Sequence, residues 1–92
     1  SADYTILVTY MSDKLVLAAK GSGSSSIRGK TLYMGTSQSY VDLMEENTSI
    51  SGKLGQISRI QGTTPDYLAA LDKGECDLVM ITDSAVDYYN SH

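Results

Sequence analysis

The sequence predicts one small α/β domain, a three-layer sandwich in which helices cover both faces of a mostly parallel central sheet. The run Leu78-Val79-Met80-Ile81 has no polar alternation, which is typical of a central strand buried on both faces. Strand-like and helix-like runs alternate along the chain, as expected for a layered sandwich with a parallel sheet. A length of 92 residues leaves room for a single unit, residues 1–92.

The amino-terminal part is predicted to form strands followed by a loop. Residues 4–11 and 14–20 are rich in Ile, Val, Leu and Tyr, with a bend or bulge expected at Ser12-Asp13. Residues 21–26 read Gly-Ser-Gly-Ser-Ser-Ser, a composition typical both of a surface loop and of a flexible linker. We expect the serines of this run to be solvated, because no apolar side chain anchors them.

Residues 29–40 predict a short buried strand that leads through a hydroxyl-rich turn into a helix. Gly35 lets the backbone turn and approach a ligand closely, and Thr36 or Ser37 can cap the helix that follows. The start of a helix also stabilises an anion, through unpaired N–H groups and a partial positive charge. Thr36 and Ser37 therefore have two possible roles, as helix caps only or as ligands of a carboxylate or phosphate.

The middle of the chain predicts a helix, a loop and an edge strand. In a helix over residues 38–47, the apolar side chains of Tyr40, Leu43 and Met44 would face inward. The acidic side chains of Asp42, Glu45 and Glu46 would face outward. Such an acidic helix face is typical of a solvated surface, so we expect no metal site there. Residues 47–55 predict a polar loop, and residues 56–61 alternate as an exposed edge strand does.

The next helix is well delimited by its sequence. Thr64 is predicted to be its N-cap, Pro65 its first residue and Gly74 its stop. Its buried face would consist of Tyr67, Leu68 and Leu71. Thr63 and Thr64 follow a strand end, so besides capping they could add donors to a ligand site.

The last predicted strand delivers Asp83 to its carboxyl end, before a helix over residues 84–90. In open α/β sheets, ligands bind beyond the carboxyl ends of the strands. Donors at Thr36 and Ser37 together with a carboxylate at Asp83 suit a zwitterion such as an amino acid. Asp83 could alternatively serve only as a helix cap.

Composition excludes several classes of function. The net charge is −4 and the seven Lys and Arg residues are scattered, which argues against nucleic-acid partners. Cys76 is the single cysteine and lies in an apolar run, so we expect a buried thiol with no metal or redox role. No long apolar run predicts a membrane span, and Ser1-Ala2-Asp3 has no signal-peptide character. We expect no cofactor.

The sequence also argues against catalysis. His92, the single histidine, is the last residue of the chain, which is a poor place for a Ser-His-Asp site. Gly29-Lys30-Thr31 ends as a P-loop does but precedes a strand instead of following one. Asp77 and Asp83 would lie at opposite ends of a strand, roughly 20 Å apart, and could not share a proton.

The sequence resembles a known protein family over residues 9–89. Four segments carry this resemblance, in this order along the chain: 29–34 (Gly-Lys-Thr-Leu-Tyr-Met), 35–38 (Gly-Thr-Ser-Gln), 71–77 (Leu-Asp-Lys-Gly-Glu-Cys-Asp) and 82–84 (Thr-Asp-Ser). Together they resemble the second lobe of a type 2 periplasmic solute-binding protein, most closely the extracellular family that takes polar amino acids. Residues 10–20 resemble the stretch after that family's first hinge crossing. The resemblance implies that the turn of Gly35, Thr36 and Ser37 binds the carboxylate of a ligand. It also implies that Asp83 binds the ammonium group of the same ligand.

The same resemblance implies a partner lobe and a place of action. A second lobe of the parent chain would supply an arginine and aromatic walls and close over the ligand. The parent would be periplasmic or extracellular, either a binding protein serving a membrane permease or a membrane-anchored receptor with a signalling module. Two alternatives stay open: an effector-binding lobe of a cytoplasmic transcription regulator, and part of a catalytic, dehydratase-like derivative of the fold.

Overall fold

The computed structural model describes residues 3–21 and 26–92, and residues 22–25 of the predicted serine-rich loop lie outside that range. The described residues form five strands and four helices. In chain order these are β1 (Tyr4–Ser12), β2 (Leu15–Lys20), β3 (Thr31–Met34), α1 (Gln38–Glu46), α2 (Thr48–Ser51), β4 (Gln56–Arg59), α3 (Thr64–Asp72), β5 (Leu78–Thr82) and α4 (Asp83–Ser91).

The five strands form one mixed sheet in the order β1-β2-β5-β3-β4. Strand β3 pairs in parallel with both β4 and β5, as the alternation of strands and helices predicts. Strand β2 runs antiparallel to β1 and to β5, so the sheet is less parallel than expected. The β1–β2 pairing is antiparallel because the chain reverses at Asp13 and Lys14, overlapping the bend or bulge predicted at Ser12-Asp13, and so short a connection permits only antiparallel neighbours.

Two apolar clusters lie on opposite faces of the sheet. Helices α3 and α4 cover one face, over residues that include Val16, Val79 and Ile81. Helices α1 and α2 cover the other, over residues that include Leu17, Leu32 and Met80. Strand β5 is buried on both faces, which confirms the prediction from its unbroken apolar run. Strand β4 lies at an edge of the sheet, also as predicted, and β1 lies at the other edge.

The starts of α3 and α4 differ from the predicted ones by one residue, whereas α1 begins at Gln38 as predicted. The N-cap of α3 is Thr63, so Thr64 and Pro65 are its first two residues. The N-cap of α4 is Thr82, whose side chain accepts a hydrogen bond from the Ala85 N–H at 3.2 Å. The prediction that Thr64 caps α3 is therefore wrong. The four residues of α2 also form a helical turn within a segment predicted to be loop.

The first strand and the last helix are joined by a pair of hydrogen bonds. The Tyr4 N–H donates to Asn90 Oδ1 at 2.7 Å, and Asn90 Nδ2 donates to the Tyr4 carbonyl oxygen at 2.9 Å. The Tyr4 hydroxyl also donates to the Asp72 carboxylate at the end of α3. Burial and this carboxylate raise the pKa of Tyr4 to about 12. β1 is thus fixed to both helices of its face.

Candidate functional site

A cleft of about 320 Å³ lies at the carboxyl ends of β3, β4 and β5. In parallel α/β sheets this is the edge where ligands bind. None of the side chains that line the cleft is formally charged, and the lining mixes hydroxyls and an amide with apolar groups. The lining residues are Leu15, Gly35, Thr36, Tyr40, residues 61–64, Tyr67 and residues 80–82.

The α1 side of the cleft is built by the turn after β3. The Thr36 side chain is exposed there, and no hydrogen bond within the described part of the chain uses its hydroxyl. Ser37 is the N-cap of α1, and its Oγ accepts a hydrogen bond from the Ser39 N–H at 3.3 Å. The two predicted roles are therefore divided: Ser37 caps the helix, and Thr36 faces the cleft.

Gly35 lies where two aromatic rings approach the backbone. A Cβ atom on Gly35 would lie 2.8 Å from Tyr40 Cε2 and 3.5 Å from the Tyr67 hydroxyl oxygen. The first distance is shorter than van der Waals contact, so only glycine fits without moving the Tyr40 ring. Gly35 thus lets the ring of Tyr40 pack against the turn and form a wall of the cleft.

The α3 side of the cleft is held by a carboxylate that reaches back to the start of the helix. Asp66 Oδ2 accepts hydrogen bonds from the Thr63 N–H at 2.8 Å and the Thr63 hydroxyl at 3.0 Å. These two bonds hold the pKa of Asp66 below its usual value. Both donors of Thr63 are thus used within the start of α3, whereas no hydrogen bond among the described residues uses the Thr64 hydroxyl. Pro65 has no N–H, so α3 offers an anion fewer donors than α1 does.

Tyr67, a residue of α3, forms the floor of the cleft. Its ring is buried and its hydroxyl donates a hydrogen bond to the Ile60 carbonyl oxygen after β4. Burial raises the pKa of Tyr67, and the neighbouring Tyr40 and Asp66 add to this effect. The hydroxyl is neutral at physiological pH and fixes the loop after β4 against the helix.

Asp83 lies next to the cleft but does not line it. As the first residue of α4 it is half-buried, and its Oδ1 accepts a hydrogen bond from the Ser84 N–H at 2.7 Å. Its Oδ2 accepts one from the Tyr10 hydroxyl at 3.3 Å. The cap of α4 comes from the Thr82 side chain, so the interpretation of Asp83 as that cap is wrong.

The structure brings together four of the six predicted site residues, Gly35, Thr36, Thr63 and Thr64, and places Ser37 and Asp83 beside them. The other eight lining residues were not predicted as site residues: Leu15, Tyr40, Gln61, Gly62, Tyr67, Met80, Ile81 and Thr82. The position of Thr82 at a strand end was visible in the sequence. The two tyrosines gave no separate signal, because their helical spacing assigns them to the core.

Several other site types are not found among the residues that the structure describes. No group of three or more His, Cys, Asp or Glu side chains could hold a metal ion there. In the same ranges, 3–21 and 26–92, no helix is both long and apolar enough to cross a membrane. Asp77 accepts a hydrogen bond from the Thr31 N–H at 2.9 Å, which joins β5 to β3 at the end of the sheet away from the cleft.

Comparison of the chain with protein-family models, with curated proteins and with solved structures finds no match.

Proposed function

We propose that this chain is the ligand-recognition lobe of an extracytoplasmic solute-binding protein or receptor sensor domain. The ligand is a small polar solute with a carboxylate, an amino acid above all. A second lobe of the parent protein closes over it by a hinge motion. The single observation that carries the proposal is the uncharged, hydroxyl-lined cleft at the carboxyl ends of three parallel strands.

The lining of this cleft supports a carboxylate at the α1 side. The Thr36 hydroxyl is exposed at the start of a nine-residue helix, where unpaired N–H groups and the helix dipole favour a negative charge. Because no lining side chain is charged, the carboxylate would meet neither an ion pair nor a repelling anion inside the cleft. Its free energy of binding therefore depends on hydrogen bonds and the dipole.

The size of the cleft supports a small ligand. A volume of about 320 Å³ lies at the lower end of the range for small-molecule pockets. The cleft is also open on one side, as expected for a surface that a second lobe completes. A large apolar cofactor does not fit this description, whereas a polar solute of amino-acid size does.

The test is a titration of the chain with the standard amino acids, with acetate and with sulfate, followed by amide chemical shifts. We expect shifts at Thr36 and at the first residues of α1, and weaker binding by Thr36→Val. The lost hydrogen bond to a charged group should cost about 1.5 to 3 kcal/mol. Thr48→Val is the matched control, because Thr48 is exposed in α2 and does not line the cleft.

Shifts confined to residues outside the cleft, or a Thr36→Val variant that binds every anion as well as the parent chain does, would contradict the proposal. Asp83→Asn gives a second readout. It should leave stability within about 0.5 kcal/mol, because Thr82 caps α4, but weaken an amino acid more than acetate.

A further inference from the structure

Tyr10 has an unusual backbone conformation and an unusual exposure. Its φ angle is +58°, in the left-handed region that non-glycine residues rarely adopt, and its side chain is 57% exposed. In this region the Cβ atom of an L-residue lies too close to the following carbonyl oxygen, so Gly or Asn is preferred there. A strained residue that the rest of the fold holds in place is a reason to look for function.

The strain arises from a bulge in β1. Val8 pairs with Leu17 and Ser12 pairs with Leu15, so residues 9–11 stand opposite the single residue Val16. The bulge lets Met11 enter the core, where it is 4% exposed, and turns Tyr10 outward. Bulges re-aim side chains and are frequent beside functional sites. Burial of Met11 explains the bulge but does not require a tyrosine at position 10.

The Tyr10 side chain reaches the edge of the sheet that carries the cleft. Its hydroxyl lies 3.3 Å from Asp83 Oδ2, and Asp83 directly follows Thr82, which lines the cleft. The Asp83 N–H donates to the Lys14 carbonyl oxygen at 2.9 Å, which fixes the start of α4 against the β1–β2 turn. Tyr10 and Asp83 therefore border the cleft from the side opposite β4.

The Asp83 carboxylate has no cationic partner within the described ranges. The ion pair found there joins Lys20 and Asp72, whereas Asp83 is bonded to a hydroxyl and to its own neighbour's N–H. A carboxylate beside an exposed aromatic ring, with no Lys or Arg on it, is an arrangement that attracts a small cation.

We propose that Tyr10 determines the specificity of the site for amines, by binding the ligand's ammonium group together with the Asp83 carboxylate. The Tyr10 hydroxyl holds the Asp83 carboxylate beside the cleft, and the Tyr10 ring offers the cation an aromatic face. The inference rests on the proposed function, in which the same ligand binds with its carboxylate at Thr36 and its ammonium group at Asp83.

The experiment uses three matched probes: L-alanine, propionate, which lacks the ammonium group, and ethylammonium, which lacks the carboxylate. Each is titrated into the chain and into Tyr10→Asn, with amide chemical shifts as the readout. Tyr10→Asn should bind L-alanine at least about threefold more weakly than the parent chain does, and its affinity for propionate should be unchanged. Its thermal midpoint should be equal or higher, because Asn accepts the left-handed conformation more readily than Tyr does.

Two further variants separate the ring from the hydroxyl and from mere exposure. Tyr10→Phe keeps the ring and should retain part of the preference for L-alanine over propionate. Tyr88→Ala is the matched control, because Tyr88 is 54% exposed on α4 and its ring packs against Tyr89 and His92, and it should leave that preference unchanged.

An unchanged preference for L-alanine over propionate in Tyr10→Asn overturns the inference, while propionate binding at Thr36 still supports the proposed function. If neither L-alanine nor propionate binds, the proposed function fails and ethylammonium decides the inference alone. Shifts at Tyr10 and Asp83 that disappear in Tyr10→Asn support it, and their absence from the parent chain overturns it.

Discussion

At Gly35, the backbone lies so close to the ring of Tyr40 that a Cβ atom does not fit between them. Gly35→Ala places a methyl group 2.8 Å from Tyr40 Cε2, so the half-buried ring must move. We expect a loss of about 1 to 2 kcal/mol in the free energy of unfolding, measured by urea denaturation. In a Tyr40→Ala background the same change should cost much less, because the two residues are in contact. Equal costs in both backgrounds would show that the ring does not constrain Gly35.

Individual site residues were predictable where the backbone dictates them. A glycine and hydroxyls between a strand and a helix mark a turn, so Gly35 and Thr36 could be selected from the sequence. The division of roles between Thr82 and Asp83 could not, because it depends on where β5 ends and such ends are uncertain by a residue or two. Tyr10 could not be selected at all, since its exposure follows from a bulge that only strand pairing reveals.

At the level of elements, the start of α3 depends on the charge of Asp66. Hydrogen bonds from Thr63 lower the pKa of Asp66 below its ordinary value of 3.8, so the folded chain binds fewer protons there than the unfolded chain does. The resulting stability is present at pH values above that ordinary value and is lost as the pH falls through the lowered pKa. Asp66→Asn keeps an acceptor oxygen but loses the charge. We expect it to be less stable than the parent chain at pH 7, by a margin that shrinks below about pH 4.

Urea midpoints measured between pH 7 and pH 2.5 check this expectation. Thr63→Val serves as a control, because it removes one of the two donors and leaves the backbone N–H on Asp66 Oδ2. It should reduce the pH dependence without abolishing it. A difference between parent and Asp66→Asn that stays constant over the whole pH range would rule out this role of the carboxylate.

The elements themselves were largely predictable because their hydrophobic periods are strong. The unbroken apolar run of β5 and the proline, acidic residue and glycine around α3 located both elements to within a residue or two. The sheet order was less accessible. Strand direction depends on which segments pair, and the reversal at Asp13 and Lys14 was interpreted as a bend within strand-rich sequence. Helix α2 was missed because four residues are too few to show a period.

At the scale of the whole molecule, the cleft is partly open to solvent, and in the proposed function a second lobe supplies the remaining ligand contacts. The chain alone should therefore bind amino acids weakly, with a Kd of about 1 mM or higher, which corresponds to roughly −4 kcal/mol. Isothermal titration calorimetry measures this directly, with sedimentation as the control for self-association. A micromolar Kd in a monomer would contradict the view that half of the ligand contacts are missing.

The hydrogen bonds between Tyr4 and Asn90 have a consequence for how such a unit can be placed inside another protein. They hold two positions separated by 86 residues in sequence side by side, so that the chain enters and leaves the fold at nearly the same point. A folded unit with neighbouring entry and exit points can be inserted between two adjacent strands of a host without forcing them apart.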